Sequence, residues 1–368
     1  MKILQLGKFY PIKGGVERVM YDLLEGISEQ RIQVDMLCAS DCNKSHEIIV
    51  NDYAKIYCTA TWIKMLATMI SPQMIWKLRA IASEYEIIHV HHPDPMAALA
   101  LFLSGYKGKV VLHWHSDILK QKIALKLIMP LQNWLINRAD VIVGTTPKYL
   151  EESTYLQNAK LKKMAIPIGI DTVLCNNNKV DEIKKRYENK TIIFSLGRLV
   201  GYKGFSYLIE SALSLPDDYV VLIGGGGPLK AELENQINRL ELHNKVHLLG
   251  RISEEELPSY FAACDVYVMS SIWKTEAFGI VQIEAMSCGK PIVATKIPGS
   301  GVSWVNEDKV TGLNVEPENA DEIADAILKI TSNREAYMTY SNNAKKRYEQ
   351  LFQKEMMIEK CLALYKNL

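Results

Sequence analysis

The chain has 368 residues, of which 48% are hydrophobic and 23% are charged, and its formal net charge is +1 at pH 7. These values are typical of a folded globular protein and exclude a disordered chain, a collagen-like chain and a disulfide scaffold. A charge near zero also argues against a nucleic-acid partner, because dedicated nucleic-acid binders carry a basic excess. At about 100–200 residues per domain, the length suggests two or three domains.

Two features of the sequence bear on its location. The longest apolar stretch is far shorter than the ~18 residues of a membrane span, and the N-terminal residues 1–7 lack the apolar core of a secretory signal. The seven cysteines are odd in number and form no CxxC pair, which fits a reducing environment. We therefore expect a cytoplasmic protein, with the inner face of the cell membrane as a further location to consider.

In the first half of the chain, short apolar runs alternate with longer amphipathic stretches. The clearest helical pattern is Val16–Ser28, directly after Gly14 and Gly15. The runs that we predict as buried strands are Lys2–Leu6, Val34–Cys38, Ile87–Val90, Val110–His113 and Val141–Val143. Such alternation predicts a parallel sheet with helices on both faces.

The pattern restarts after the polar run 176–179. The second set of predicted strands is Thr191–Leu196, Tyr219–Ile223, Val246–Leu249, Val266–Met269 and Pro291–Ala294. We therefore predict an α/β fold of two Rossmann-like doubly wound domains that face each other across a cleft. The predicted domains are 1–175 and 176–350, and the C-terminal helix 351–368 is expected to cross back to the first domain.

The segment 275–286 is the most informative of the chain. Glu276 precedes Gly279 in a predicted loop, and Glu284 lies two turns into the predicted helix that follows. Backbone N–H groups of Gly279, Ile280 and Val281 at the start of this helix are ready donors for a diphosphate. The alternative is a solvated Glu284 and a Glu276 that only caps the helix.

A second loop, 195–204, is rich in glycine and carries two cations. Arg198 follows Gly197 and can bind a diphosphate bidentately, and Lys203 can bind it as a point charge. The loop matches neither the Walker A pattern nor GxGxxG. A solvated surface pair is the alternative. The four glycines at 224–227 indicate either a close approach of backbone to ligand or a plain tight turn.

Histidines cluster in the first half of the chain. His89, His91 and His92 are followed by His113, His115 and Asp117. The HxH spacing places two imidazoles on one face of a strand, so a zinc site has to be considered. The other interpretations are buried, hydrogen-bonded histidines at strand ends, or a histidine, in the first instance His115, that contacts a substrate hydroxyl. We predict no metal site and no cofactor.

Taken together, these motifs resemble those of family 4 retaining glycosyltransferases of the GT-B fold. The resemblance rests on Glu276 and Glu284 with Phe278 between them, on the 197–204 loop and on the early glycine pair, and it covers nearly the whole chain. His115-Ser116-Asp117-Ile118 and Pro298–Gly301 also resemble segments of bacterial O-antigen or capsule mannosyltransferases that use GDP-mannose.

The resemblance implies roles for single residues. Arg198 and Lys203 would bind the diphosphate of a nucleotide-sugar, Glu276 would hold hydroxyls of the donor sugar, and His115 would contact that sugar from the first domain. The remaining donor-binding residues would be Gly14, Gly15, Gly197, Phe278, Gly279, Ile280, Val281 and Glu284. Glu17 would face the acceptor. The first domain would thus bind the acceptor and the second the nucleotide-sugar.

The implied reaction is the transfer of a hexose, with mannose from GDP-mannose as our specific hypothesis, to a lipid-linked saccharide in O-antigen or related polysaccharide synthesis. The sequence contains no Asp-x-Asp pair to hold a divalent metal, so we expect Arg198, Lys203 and helix amides to neutralise the diphosphate without one. Another GDP- or UDP-sugar is the first alternative.

Two stretches, 62–79 and 118–134, mix Lys and Arg with Trp, Leu and Ile at roughly helical spacing. This pattern is found in interfacial helices that contact a membrane surface, and also in ordinary helices that face a core. We carry peripheral membrane contact as a hypothesis.

Three other functions remain open from the sequence. One is a different enzyme on the same fold, such as a nucleotide-sugar epimerase or a phosphorylase. Another is an inactive scaffold that binds sugar or nucleotide, against which the intact set of Arg198, Lys203, Glu276 and Glu284 argues. The third is a dinucleotide oxidoreductase, against which the missing GxGxxG argues.

Overall fold

The structure is a computed structural model that describes residues 1–65, 68–118, 122–157, 159 and 161–368, without the side chains of 122–127. The chain forms two compact units. Unit 1 comprises Met1–Gly169 and Lys354–Leu368, and unit 2 comprises Ile170–Gln353. The boundary between the units thus follows Gly169, whereas the sequence predicted it after residue 175. The polar run 176–179 lies in unit 2, where it begins a helix.

Unit 1 is built on an eight-stranded sheet with the strand order β10-β9-β8-β7-β1-β2-β4-β3. Every strand pair is parallel except β3 with β4, and β5 and β6 form a separate antiparallel hairpin. The strands are β1 Lys2–Tyr10, β2 Gln33–Ser40, β3 His46–Asn51, β4 Ala54–Thr59, β5 Ile63–Met65, β6 Thr68–Ile70, β7 Ile87–His92, β8 Lys109–Trp114, β9 Val141–Gly144 and β10 Lys162–Ala165.

Helices connect the parallel strands of unit 1. They are α1 Gly15–Glu29, α2 Pro72–Ile81, α3 Pro95–Ser104, α4 Lys122–Arg138, α5 Pro147–Glu152 and, from the end of the chain, α14 Lys354–Lys366, with a 3₁₀ turn at Ala82–Glu84. Helix α14 packs against α1, where Gly26 allows a close approach. A Cβ at Gly26 would lie 2.1 Å from Cδ1 of Ile358, so this contact depends on glycine.

Unit 2 has a six-stranded, all-parallel sheet with the order β13-β12-β11-β14-β15-β16. Its strands are β11 Thr191–Leu196, β12 Tyr219–Gly224, β13 Val246–Gly250, β14 Val266–Met269, β15 Ile292–Thr295 and β16 Gly312–Val315. Its helices are α6 Asn177–Arg186, α7 Phe205–Ser211, α8 Lys230–Arg239, α9 Leu257–Ala263, α10 Ile280–Ser287, α11 Val302–Val305, α12 Ala320–Thr331 and α13 Arg334–Leu351, with a 3₁₀ turn at Gly201–Lys203.

These sheets confirm the predicted α/β class with two Rossmann-like domains. Each predicted strand is present, and α1 matches the predicted helix Val16–Ser28 within a residue at each end. The strands that the sequence did not indicate lie at or near sheet edges or in the hairpin. Exposed β3, for example, lacks the continuous apolar run of a central strand.

One predicted feature is wrong in its local structure. The sequence predicts a helical pattern over 62–79, but the described residues Ile63–Met65 and Thr68–Ile70 are the paired strands β5 and β6, and the helix begins only at Pro72. Leu119 and Lys120 of the second stretch, and the side chains of Lys126 and Leu127, lie outside the described residues. Among the helices that the structure describes, none is long and apolar enough to cross a membrane.

The most unusual part of unit 1 is a stack of four buried histidines on β7 and at the end of β8. His91 lies opposite His113 in the parallel register, and the ring centroids of His113 and His115 are 4.0 Å apart. His89 completes the stack, 4.5 Å from His91. Burial lowers the pKa of His113 to about 3 and holds the pKa values of the other three well below the usual range, so the stack is neutral.

We predict that this stack makes unit 1 sensitive to acid. An unfolded histidine with a pKa of about 6.5 takes up a proton below that pH, whereas a buried one does not, so stability falls as the pH drops below about 6.5 and is unaffected above it. Each buried histidine should contribute about 1.4 kcal/mol per pH unit to this loss. The slope of the free energy of unfolding against pH is measured by urea unfolding between pH 8 and pH 5, with near-UV circular dichroism as the signal.

Two variants serve as controls for this prediction. His113→Phe keeps an aromatic ring in the stack but removes one titrating group. It should reduce the slope by the contribution of one histidine, about 1.4 kcal/mol per pH unit. His243→Gln changes an exposed histidine of unit 2 and should leave the slope as in the wild type. A wild-type stability that is constant from pH 7 to pH 5 would contradict the prediction.

Candidate active site

The candidate active site of unit 2 lies where its chain reverses direction across the sheet. Strand β11 is flanked by β12 and β14, so the chain first adds strands on one side of β11 and then on the other. At such a switch point, the loops after the two central strands diverge and leave room for a ligand at their carboxyl ends. Here these loops carry Gly197 and Arg198 after β11, and Glu276 after β14.

At this edge Lys203 and Glu276 form a buried ion pair. The Nζ of Lys203 lies 2.5 Å from Oε2 of Glu276, and the two side chains are only 10% and 14% exposed. The hydroxyl of Ser271 donates a second hydrogen bond to the same carboxylate oxygen, at 3.2 Å. Burial by itself lowers the pKa of Lys203, but the neighbouring carboxylate of Glu276 raises it above its usual value. The lysine is therefore a fixed positive charge at neutral pH.

Glycines bring the surrounding loops together. A Cβ at Gly197 would lie 3.0 Å from Cε of Lys203, so the lysine stem lies directly against the backbone of Gly197. Gly225 has a φ of +131°, and a Cβ there would lie 1.9 Å from the carbonyl oxygen of Gly197. The two interpretations of the glycine run 224–227 are a close approach of backbone to ligand and a tight turn. The contacts at Gly225 and Gly227 favour the tight turn, because both glycines meet backbone of the loop after β11 rather than open space.

Arg198 and the segment around α10 complete this edge of the sheet. The Arg198 side chain is exposed, and α10 begins after Gly279, whose φ of +78° is left-handed and which provides no side-chain cap. The amides of Ile280 and Val281 therefore lie in the first turn, where a helix presents N–H groups to an anion. Glu284 is half-buried on the same helix, and Phe278 is buried against Phe352.

Three supporting residues received no role from the sequence motifs. Ser271 bonds to the Glu276 carboxylate, and Ser300 donates its hydroxyl to the Glu276 carbonyl oxygen, at 2.5 Å. The buried amide of Gln282 donates to the carbonyl oxygen of Phe278, at 3.3 Å. These three bonds tie the Glu276–Phe278 segment to the end of β14, to α10 and to the loop after β15. Gln282 and Ser300 lie inside the segments 275–286 and 298–301 that the sequence singled out, and Ser271 follows β14 closely, but no sequence pattern gave any of the three a role.

In unit 1, the residues predicted to bind ligand lie after the carboxyl ends of β1 and β8. Gly14 precedes α1 in extended conformation, and a Cβ there would lie 2.5 Å from Oε2 of Glu17. Glu17 is buried and lines a cavity of about 50 Å³. His115 follows β8, and its Nε2 lies 2.9 Å from Nδ1 of His91. Gly14, Gly15, Glu17 and His115 thus share one edge of the sheet.

The histidine stack is a poor metal site in this arrangement. Nitrogen atoms of His89, His91 and His113 lie within 4.8 Å of one another. However, the ring planes lie within 29° of each other in the five pairs of rings that are in contact, so the lone pairs run side by side rather than converging on one ion. Both nitrogens of His91 are also engaged, by Gln5 and by His115. The absence of a metal remains a prediction.

The glycine contacts of unit 2 allow a matched test. Gly225→Ala places a methyl group against the carbonyl of Gly197 and should destabilise the protein by about 1–3 kcal/mol, with weaker nucleotide binding. Gly201→Ala, in the Lys203 loop, meets nothing within 4 Å and should behave as the wild type. Thermal unfolding with and without nucleotide measures both effects. Equal stability of the two variants would show that the packing argument is wrong.

Comparisons with known proteins agree with this architecture. Residues 176–347 match the family described as glycosyl transferases group 1, and residues 13–174 match glycosyltransferase family 4. Among curated proteins, the O-antigen chain mannosyltransferase C of Escherichia coli is 29% identical over 100% of this chain and 99% of its own. The D-rhamnosyltransferase WbpZ of Pseudomonas aeruginosa is 30% identical over 96% of this chain and 92% of its own.

Solved structures show the same fold. HepE of Anabaena, in complex with UDP, has a TM-score of 0.80 at 22% identity, and each chain is covered in full. The sucrose-phosphate synthase of Thermosynechococcus elongatus also has a TM-score of 0.80, at 20% identity, with 100% of this chain and 99% of that chain covered. The resemblance seen in the sequence motifs is thereby confirmed, and the chain belongs to the family 4 glycosyltransferases of the GT-B fold.

Proposed function

We propose that this glycosyltransferase transfers mannose from GDP-mannose, with retention of the anomeric configuration, to a lipid-linked saccharide in O-antigen or related polysaccharide synthesis. The observation that carries the proposal is the buried Lys203–Glu276 pair at the switch point of unit 2. The names of two full-length relatives, a mannosyltransferase and a rhamnosyltransferase, support a hexose of this kind.

The proposed donor site uses the charges and amides at this edge of unit 2. Lys203 and the exposed Arg198 neutralise the diphosphate, together with the amides of Gly279, Ile280 and Val281. Because Lys203 is already held in place and charged by Glu276, its reorganisation during the reaction is small, which is how fixed charges lower a barrier. With two cations at the diphosphate, the reaction proceeds without a metal ion.

The remaining donor contacts are assigned by chemistry. Glu276 has its second carboxylate oxygen for sugar hydroxyls, since the bonds from Lys203 and Ser271 both end on Oε2. Glu284 binds the ribose hydroxyls, and Gly197 and Phe278 shape the backbone around the phosphates. In unit 1, His115 contacts the donor sugar, Gly14 and Gly15 allow donor and acceptor to approach α1, and Glu17 faces the acceptor.

In the proposed mechanism, the bond between the anomeric carbon and the diphosphate breaks and leaves an oxocarbenium-like sugar. The acceptor hydroxyl attacks from the face that the diphosphate has left, and its proton passes to the leaving phosphate oxygen. No side chain acts as a nucleophile. Catalysis then rests on positioning and on stabilising the charge of the leaving group.

A second donor has an observation in its favour. HepE of Anabaena was crystallised with UDP and with UDP-glucose, so a UDP-sugar is the alternative substrate. A thermal-shift series with GDP, UDP, ADP and dTDP and their sugar conjugates separates the two. Stabilisation by GDP and GDP-mannose supports the proposal, and stabilisation by uridine nucleotides alone overturns the choice of donor. Proton NMR of the product and activity in EDTA test retention and metal independence.

Substitution of Lys203 tests the proposed charge stabilisation. Lys203→Ala should lower kcat by about 10²–10³-fold, because removing one donor to a developing negative charge costs about 2.7–4 kcal/mol. Turnover is measured by release of the nucleoside diphosphate. Lys190→Ala, at the amino end of β11 and exposed, is the matched control and should keep wild-type turnover.

The ion pair also needs a structural control. Lys203→Ala leaves the Glu276 carboxylate buried without its partner, which by itself destabilises a protein. The double variant Lys203→Met with Glu276→Gln removes both charges together and should unfold closer to the wild-type temperature while remaining inactive. Near-normal turnover of a folded Lys203 variant would contradict the assignment.

Peripheral membrane contact is part of the same proposal. Trp62 at the β5–β6 hairpin is 70% exposed and Trp76 on α2 is 67% exposed, and the exposed Lys64 and Arg79 accompany them in sequence. Indole rings beside cations suit the interface of an anionic bilayer. Unit 1 therefore docks on the membrane that carries the lipid-linked acceptor.

Co-sedimentation with vesicles that contain anionic lipid tests this contact. We expect the wild type to sediment at low salt and the double variant Trp62→Ser, Trp76→Ser to lose most of this binding. Leu174→Ser changes an 82% exposed side chain of unit 2 and should sediment as the wild type. A wild type that stays in the supernatant at low salt rules out the contact.

A further inference from the structure

A continuous chain of hydrogen bonds in unit 1 links the C-terminal helix to His115. The hydroxyl of Tyr365 on α14 lies 2.5 Å from Nδ1 of His89, and Nε2 of Gln5 donates to the same hydroxyl oxygen, at 3.4 Å. The other end of the Gln5 amide, Oε1, lies 2.5 Å from Nε2 of His91. Finally, Nδ1 of His91 lies 2.9 Å from Nε2 of His115.

The direction of each bond follows from the amide of Gln5. Its Nε2 can only donate and its Oε1 can only accept. Because Oε1 faces His91, the Nε2 of His91 must carry the proton. Burial lowers the pKa of His91 well below its usual range, so this imidazole is neutral and has only one N–H group. Its Nδ1 is therefore an acceptor.

The same reasoning applies to the next ring, that of His115. Since Nδ1 of His91 accepts, the Nε2 of His115 must donate the bond between them. Burial likewise lowers the pKa of His115, so this ring is neutral as well and its Nδ1 bears a lone pair. Within the part of the chain that the structure describes, this buried Nδ1 has no hydrogen-bond partner.

We infer that Gln5 and His91 are positioning residues that hold His115 as the Nε2–H tautomer and so present Nδ1 as an acceptor for a hydroxyl group of the sugar substrate. The inference rests on the proposed function, because that function assigns His115 to the donor sugar. A buried acceptor without a partner is costly, and a ligand hydroxyl removes this cost.

The ring of His115 is also held in orientation. It stacks on His113 at 4.0 Å and on His91 at 5.2 Å between ring centroids, and its backbone N–H donates to the carbonyl oxygen of His92. Tautomer and ring plane are thus both set before a ligand arrives. Because Nδ1 can accept but not donate, the position selects a hydroxyl and disfavours a deoxy sugar or a second acceptor at the same place.

The first test reads the tautomer directly in the full-length protein without substrate. Long-range ¹H–¹⁵N correlation spectra of the ¹⁵N-histidine-labelled protein at pH 7.5 distinguish the protonated ring nitrogen from the bare one. We expect His91 and His115 as Nε2–H tautomers, assigned through His91→Asn and His115→Asn. An Nδ1–H tautomer of His115 in the wild type overturns the inference, whatever the enzyme's activity with any donor.

Variants of Gln5 then test this chain of hydrogen bonds, the relay from Tyr365 through Gln5 and His91 to His115. In Gln5→Leu, His91 loses its acceptor, and we expect His115 to show both tautomers and the KM for the donor to rise by about three- to tenfold with little change in kcat, as for the loss of one neutral hydrogen bond. Gln5→Glu keeps an acceptor towards His91 and should retain the wild-type tautomer. An unchanged tautomer in Gln5→Leu overturns the inference.

A matched control separates positioning from packing. Gln132 is another buried glutamine that bonds to a buried histidine, with Oε1 lying 3.2 Å from Nε2 of His92, outside the relay. Gln132→Leu should leave the His115 spectrum and the donor KM unchanged. Saturation of the wild type with GDP-mannose, or with the UDP-sugar if only uridine nucleotides stabilise the protein, should shift the Nδ1 resonance of His115, and no shift on binding rejects the acceptor role. Failure to transfer any sugar would instead reject the proposed function and leave the tautomer result intact.

Discussion

Parallel strands deliver every following loop to the same edge of the sheet, and both units of this chain depend on that constraint. In unit 2 it brings Arg198, Lys203 and Glu276 together although the glutamate follows the lysine by 73 residues. In unit 1 it brings the start of α1 and His115 to one edge. The glycines at 197 and 225 then allow the loops to touch, because any larger residue at 225 would collide with backbone.

Buried polar groups need partners, and the two units meet this requirement in different ways. Unit 2 buries a charged pair, Lys203 with Glu276, and supports it with the hydroxyl of Ser271. Unit 1 buries histidines that stay neutral and links three of them through Gln5 and Tyr365. The charged arrangement suits the stabilisation of a leaving diphosphate, whereas the neutral one suits recognition of a hydroxyl.

The family assignment and the two sets of buried polar groups answer different questions: the first concerns the class of enzyme, and the second concerns its substrate. The comparisons establish a glycosyltransferase with two Rossmann-like domains. The proposed choice of sugar, by contrast, depends on hydroxyl contacts such as the one that we infer for Nδ1 of His115, and relatives with about 30% identity include both a mannosyl- and a rhamnosyltransferase. Specificity in this family is therefore best sought in buried acceptors and donors rather than in the overall fold.

The α/β class, the central strands and the motif residues of both loops could be inferred from the amino-acid order, because buried parallel strands are continuous apolar runs and glycine-rich turns follow them. The edge strands β3 and β16 could not, since their burial depends on neighbours that are distant in sequence. The same is true of the Lys203–Glu276 pair and of the relay from Tyr365 to His115, which spans 250 residues between its ends. Hydrogen-bond direction in that relay depends on which side of one amide faces which partner, and only the tertiary structure decides that.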